Sequence, residues 1–175
     1  RLLRPGGFTL CALGPADVLL LCYGNPGRRD DGLGAAFAAA VEGLFLPGVT
    51  LDVDYQLHVE LAAELARHAY AVFVDAAVAG REPFGFGAVA PGSPASFSTH
   101  SLQPAGLLAL ARQCFGGVPE AYALAIRGYD FDTFGEALSP GGASNLEAAL
   151  RFLLPVLARR SFAEAAAALE AAAPE

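Results

Sequence analysis

The passage from Val18 to Ala36 constrains this chain more than any other. An unbroken apolar run, Val18-Leu19-Leu20-Leu21-Cys22-Tyr23, stops at Gly24-Asn25-Pro26-Gly27, and the acidic pair Asp30-Asp31 then opens an alanine-rich helical pattern. An apolar run of strand length without alternation is what a strand covered on both faces requires, and the glycines and proline supply a tight turn. The unit reads strand, loop, helix. A helix N-terminus attracts anions, so two carboxylates at that end compete with a phosphate and favour a cation.

The rest of the chain continues the alternation. A helical pattern runs from Gly32 to about Leu44 and ends at Pro47-Gly48. Val49–Tyr55 alternates as a half-exposed strand, placing it nearer an edge. Val59–His68 reads as a helix, and Tyr70–Val74 as a second buried strand ending at Asp75-Ala76. Phe84-Gly85-Phe86-Gly87 suits a short strand or hairpin, and Ala95–Thr99 a further strand running into His100. Pro104–Phe115 is helical and closed by Gly116-Gly117, and Ala121–Arg127 is a strand. Gly128–Gly142 reads as a long loop, Ala143–Arg159 as a helix bent or interrupted at Pro155, and Phe162–Ala173 as a last helix.

Strands alternating with helices predict an α/β fold: a single-domain, three-layer arrangement with a mostly parallel central sheet flanked by helices. Residues 1–16 form an N-terminal lead-in or edge strand, 17–160 the α/β domain, and 161–175 an Ala-rich C-terminal helix or tail.

With 54% hydrophobic and 17% charged residues over 175 positions, disorder is excluded as a description of the whole. The net charge of −7 and scattered basic residues leave no electrostatic footprint for nucleic acid. The longest apolar run is too short to span a bilayer. No signal peptide is recognisable, and the lack of any Met suggests that the natural start is missing. Cys11, Cys22 and Cys114 form no CxxC and read as buried free thiols in a reducing cytosol. A cytoplasmic, soluble monomer is expected.

In an open parallel sheet, ligands bind beyond the carboxyl ends of the strands. The polar residues just past each predicted strand are Asn25, Asp30 and Asp31, then Gln56 and His58, then Asp75, and finally His100. Asp31, Asp75 and His100 offer two carboxylates and an imidazole from three separate elements, a set suited to a borderline divalent metal such as nickel or zinc with positions left open. Each has a plainer reading. Asp31 could cap the helix that starts at Gly32, Asp75 could bind loop amides, and His100 could be solvated in its Ser/Thr-rich loop. Glu60, Glu64 and His68 share one helix face and read as a solvated outer surface. There is no Gly-x-Ser-x-Gly elbow and no GxGxxG spacing, which argues against serine-nucleophile and dinucleotide chemistry.

These residues resemble the landmarks of the hydrogenase maturation endopeptidases, which trim the C-terminus of [NiFe]-hydrogenase large subunits. Gly24-Asn25-Pro26-Gly27-Arg28-Arg29-Asp30-Asp31-Gly32-Leu33-Gly34 is similar to the signature near the family's start. Val72-Phe73-Val74-Asp75-Ala76 resembles its strand ending in Asp-Ala, and Ser98-Thr99-His100-Ser101 its His-bearing loop. Gly128-Tyr129-Asp130-Phe131 and Gly135-Glu136-Ala137-Leu138-Ser139-Pro140 resemble the loop before its last helix. Many members carry an Asp-Gly-Gly-Thr-like segment where this chain has Asp54-Tyr55-Gln56-Leu57-His58, so no catalytic role is carried over to Asp54.

The resemblance implies a sheet flanked by helices and a metal-recognising set of Asp31, Asp75 and His100. The nickel is supplied by the hydrogenase large-subunit precursor, with no organic cofactor. The same three residues are the candidates for catalysis, and Asn25, Gln56 and His58 are expected to contact substrate. The alternative function is a non-catalytic nickel or precursor chaperone using the same site.

Overall fold

A computed structural model describes residues 17–92 and 102–172. The first strand, β1 (Val18–Tyr23), lies inside a five-stranded sheet and is buried almost throughout. It pairs in parallel with β2 (Val49–Asp54) on one side and β3 (Tyr70–Ala77) on the other. β5 (Glu120–Arg127) continues the parallel set beside β3, and β4 (Phe84–Ala88) closes it as an antiparallel edge, giving the order β2-β1-β3-β5-β4. The alternating strand β2 is the opposite edge, as its half-exposed pattern predicts, and the Phe84-Gly85-Phe86-Gly87 stretch is the edge strand β4.

Two apolar layers cover the sheet. On one face, Val18, Leu20 and Cys22 of β1 and Val72 and Val74 of β3 pack with three helices: α1 (Leu33–Glu42), α4 (Pro140–Arg159) and α5 (Phe162–Ala171). On the other, Leu19, Leu21, Ala71 and Phe73 pack with α2 (Leu61–Leu65) and α3 (Pro104–Phe115). The period-two alternation of each strand thus feeds both layers, which is why the strands read as continuous apolar runs. Each fully buried Leu or Phe in these layers contributes about 1.5–3 kcal/mol relative to leaving it exposed. Phe162 of α5 sits in the first core at 1% exposure, so the Ala-rich final helix shares the core of the sheet.

Several boundaries differ from the sequence reading. β3 runs on through Asp75 to Ala77, because the neighbouring β5 continues to pair with it as far as Arg127. The helix expected over Val59–His68 shrinks to Leu61–Leu65. Helix α4 starts at Pro140, three residues before the predicted Ala143. Ser139 is its N-cap, with the hydroxyl accepting from the Gly142 amide at 3.0 Å, and Pro140 takes the first helical position, where a missing N–H costs nothing. Pro155 lies inside this helix without ending it.

Among the described residues the expected thiol burial holds for Cys22, whose pKa burial pushes well up. Cys114 is exposed, on the last turn of α3. Cys11, the 1–16 lead-in, the Ala95–Thr99 strand and His100 lie outside the described residues. Among the described residues, no helix is long and apolar enough to cross a membrane.

Candidate metal-recognition site

The strand order creates the site's position. The chain leaves β1 for β2 at one edge, then crosses back over to β3 on the other side of β1. The crevice between the carboxyl ends of β1 and β3 is therefore a topological switch point, where helices leave in opposite directions and a ligand can enter. Asp31 arrives there from the β1 loop, in a 3₁₀ turn spanning Arg29–Gly32, and Asp75 arrives from β3 itself.

Gly24 lets the two approach. Its φ of +134° is open to glycine and strained for other residues, and its amide donates to the Asp54 carbonyl at 3.2 Å. A Cβ at this position would lie 2.1 Å from the Asp31 carbonyl oxygen and 3.8 Å from Asp75 Oδ1. The loop can fold back over the strand end only because that Cβ is missing.

Asp31 is not a helix cap. Neither the 3₁₀ turn nor α1 has a side-chain cap, and the Asp31 Oδ2 instead accepts from the Asn25 amide at 3.3 Å. Asp75 Oδ1 accepts from the Ala76 amide at 2.7 Å. Burial pushes the Asp75 carboxyl up to about 6, against the pull of the Ala76 amide, with the Asp31 charge adding to the rise and the Tyr23 hydroxyl opposing it. The Tyr23 phenol is itself pushed well up by burial, by the Asp75 charge and by their hydrogen bond. The Asp75 carboxylate feels the Asp31 charge, and with no Arg or His paired to either among the described residues the two form a local excess of negative charge that a cation relieves.

Among the described residues no group of three metal-ligating side chains gathers. The turn that carries Asp31 and the Asp75 carboxylate both come up against Gly24, close enough for the Asp31 charge to act on Asp75, and the third predicted ligand, His100, is outside the described residues. Asn25 is already engaged in shaping the loop, its Oδ1 accepting from the Gly27 amide at 2.9 Å. Gln56 is exposed beyond β2, and His58 lies between Asp54 Oδ2 at 3.4 Å and Glu60 Oε2 at 3.1 Å. A cavity of about 280 Å³ beside the β1 loop is lined by Gly24, Pro26, Ala35, Val53, Asp54 and Tyr55, and neither Gln56 nor His58 lines it. Glu60, Glu64 and His68 are taken up separately: Glu60 by His58, Glu64 by Arg67, and His68 by the Glu64 carbonyl.

Asp30, which the sequence reading pairs with Asp31 as a carboxylate favouring a cation, is instead taken up inside the fold. It is 0% exposed. Its Oδ2 accepts from the Tyr129 amide at 2.7 Å, the Asp130 amide at 3.1 Å and the Ser139 hydroxyl at 2.6 Å, and its Oδ1 from the Ser139 amide at 2.7 Å. Burial alone would raise its pKa, but the Ser139 hydroxyl and the three amides hold it below the usual carboxylate value. Asp30 thus ties the Gly128–Ser139 loop to the turn that carries Asp31. The signal was available: adjacent residues in a turn point in different directions, so one of the Asp30-Asp31 pair had to face inward.

The fold is that of the hydrogenase maturation endopeptidases. One solved structure it resembles is the hydrogenase maturating endopeptidase HybD from E. coli, with a TM-score of 0.66 and 23% identity, covering 83% of this chain and 93% of that one. Another is an endopeptidase from Escherichia coli solved in solution, at 0.65 and 22%, covering 83% and 94%. A third is the [NiFe] hydrogenase maturation protease HycI from Thermococcus kodakarensis, at 0.62 and 21%, covering 82% and 94%. No protein-family model and no curated protein matches the chain. At these identities the likeness is one of fold.

The raised Asp75 pKa has a measurable consequence. Its folded value near 6 exceeds the ordinary 3.8, so the stability of the protonated form is full below about pH 4 and is lost as pH rises through 6. Asp75→Asn keeps the shape and removes the buried charge. It is expected to stabilise the fold by roughly 3 kcal/mol at neutral pH and by almost nothing at pH 4, read from urea unfolding at the two pH values.

Proposed function

We propose that this protein is an endopeptidase that removes the C-terminal extension from the nickel-loaded precursor of a [NiFe]-hydrogenase large subunit, recognising the nickel through Asp31, Asp75 and His100. The observation that carries the reading is the meeting of Asp31 and Asp75 at the β1/β3 switch point, in the fold of the hydrogenase maturation endopeptidases.

In this reading the nickel arrives as part of the substrate. Asp75 supplies an oxygen ligand from β3 and Asp31 another from the 3₁₀ turn after β1, and His100, four residues before α3, supplies the imidazole. Positions on the metal remain for the precursor's own groups. Asp75 must give up its proton to bind the cation, so recognition strengthens as pH rises through about 6. The catalytic group is one of Asp31, Asp75 and His100, and the cavity beside Gly24 would take the polypeptide flanking the scissile bond.

The test is a mass measurement on purified precursor mixed with this protein, with and without nickel loaded. A shortened large subunit from the nickel-loaded form alone is the expected result. A stable, uncut complex would identify a chaperone instead, and no cleavage with no complex would overturn the assignment.

A further inference from the structure

The Gly128–Ser139 loop joins β5 to α4. It is fixed to the β1 loop along much of its length. The Arg29 amide donates to the Gly135 carbonyl at 2.8 Å, and the Gly135 amide to the Gly27 carbonyl at 2.9 Å. The Asp30 amide donates to the Asp130 carbonyl at 3.0 Å, Arg28 Nη2 to the Phe131 carbonyl at 2.9 Å, and Arg29 Nη1 to Asp130 Oδ2 at 2.8 Å. The Asp30 carboxylate holds both ends of the loop, at Tyr129 and Ser139. Yet Phe134, immediately before the bridging Gly135, is 86% exposed. A loop tied down this closely keeps an aromatic ring in water next to the β1 loop.

Phe134 is flanked by Asp132 and Glu136, both exposed and neither in an ion pair among the described residues. An exposed aromatic on a pre-ordered loop is a binding anchor whose ordering cost is met in folding, and the carboxylates around it select the charge of what surrounds it. The chain's net charge of −7 disfavours a second copy as the occupant.

We propose that Phe134 is the docking anchor for the folded body of the precursor, entering an apolar pocket rimmed by basic side chains while the nickel and the scissile segment sit at the crevice. This rests on the function proposed above. The loop would act as the specificity element: Asp31 and Asp75 recognise the metal, and Phe134 recognises the protein that carries it. Phe45, also 82% exposed but between α1 and β2 at the amino end of the sheet, has no such position and serves as the control.

The experiment measures kcat and KM for cleavage of the nickel-loaded precursor by wild type, Phe134→Ser, Phe134→Leu, Phe45→Ser and the double variant Asp132→Lys/Glu136→Lys. Phe134→Ser is expected to raise KM about tenfold with kcat nearly unchanged, and Phe134→Leu to recover most of the loss. Phe45→Ser should match wild type. For wild type KM should rise with ionic strength, and in the double variant that dependence should flatten or reverse. A Phe134→Ser KM within about twofold of wild type overturns the proposal. So does sedimentation showing a wild-type dimer that Phe134→Ser dissolves, since the occupant is then a second copy. If wild type neither cuts nor binds the precursor, the function reading itself fails and takes this inference with it, an outcome distinct from the other two.

Discussion

Asp31→Asn, Asp75→Asn and His100→Ala are each expected to leave the nickel-loaded precursor uncut, with processing slowed by at least about 100-fold, while the protein stays folded. Losing only an outer partner of a metal ligand costs about 10–100-fold, so loss of a direct ligand should exceed that. The two Asp→Asn changes are isosteric and relieve, rather than create, buried charge. Asp31 accepts one long hydrogen bond from the Asn25 amide, which an asparagine oxygen can still accept. Asp75→Asn should even raise stability at neutral pH, because burial and the Asp31 charge disfavour its ionised form. Activity lost while stability is kept or gained is the pattern of a residue held for function at a structural cost. Mass spectrometry of the large subunit and urea unfolding of each variant provide the two readouts. If all three variants process at the wild-type rate, the recognition set is wrong.

Most of the layered architecture was legible because the strands it needs are buried on both faces, and Val18–Tyr23 and Tyr70–Val74 announce that as unbroken apolar runs. Asp75 was legible as a site candidate for the same reason: apolar strand residues carry a carboxylate to the rim, where it has no packing role. Its meeting with Asp31 depended on strand order, which pattern alone leaves open, and on a glycine whose missing Cβ makes room. The start of α4 was misplaced because Gly141-Gly142 reads as a helix breaker. The structure gives Gly142 another reason: a Cβ there would lie 2.7 Å from Asp30 Oδ1. The glycine marks a close approach between distant segments, a tertiary fact that local propensity does not encode. The role of Asp30 was hidden likewise, since its partners lie about a hundred residues away.

Asp30→Asn is expected to destabilise the protein by roughly 3–5 kcal/mol at neutral pH, a large part of the 5–15 kcal/mol that holds a typical domain together. The native carboxylate accepts four hydrogen bonds, three from backbone amides and one from the Ser139 hydroxyl. An asparagine offers one acceptor oxygen and turns the other position into a donor, so whichever way the amide is placed, N–H faces N–H at a site with no access to water. The Ser139 hydroxyl also caps α4 through the Gly142 amide, so a disturbed Asp30 reaches the helix start as well. The pH dependence has a definite sign. The folded pKa of Asp30 lies below its ordinary value, so its contribution is present above about pH 4 and is lost as pH falls through the folded value. Wild type and variant should therefore differ most near neutrality and converge in acid, measured by urea unfolding across that range. Asp31→Asn, one residue on, should change stability little and activity greatly. Two adjacent carboxylates with opposite outcomes would show that one faces the fold and the other faces the substrate. An Asp30→Asn variant as stable as wild type at neutral pH would mean the Gly128–Ser139 loop is held by something other than this carboxylate.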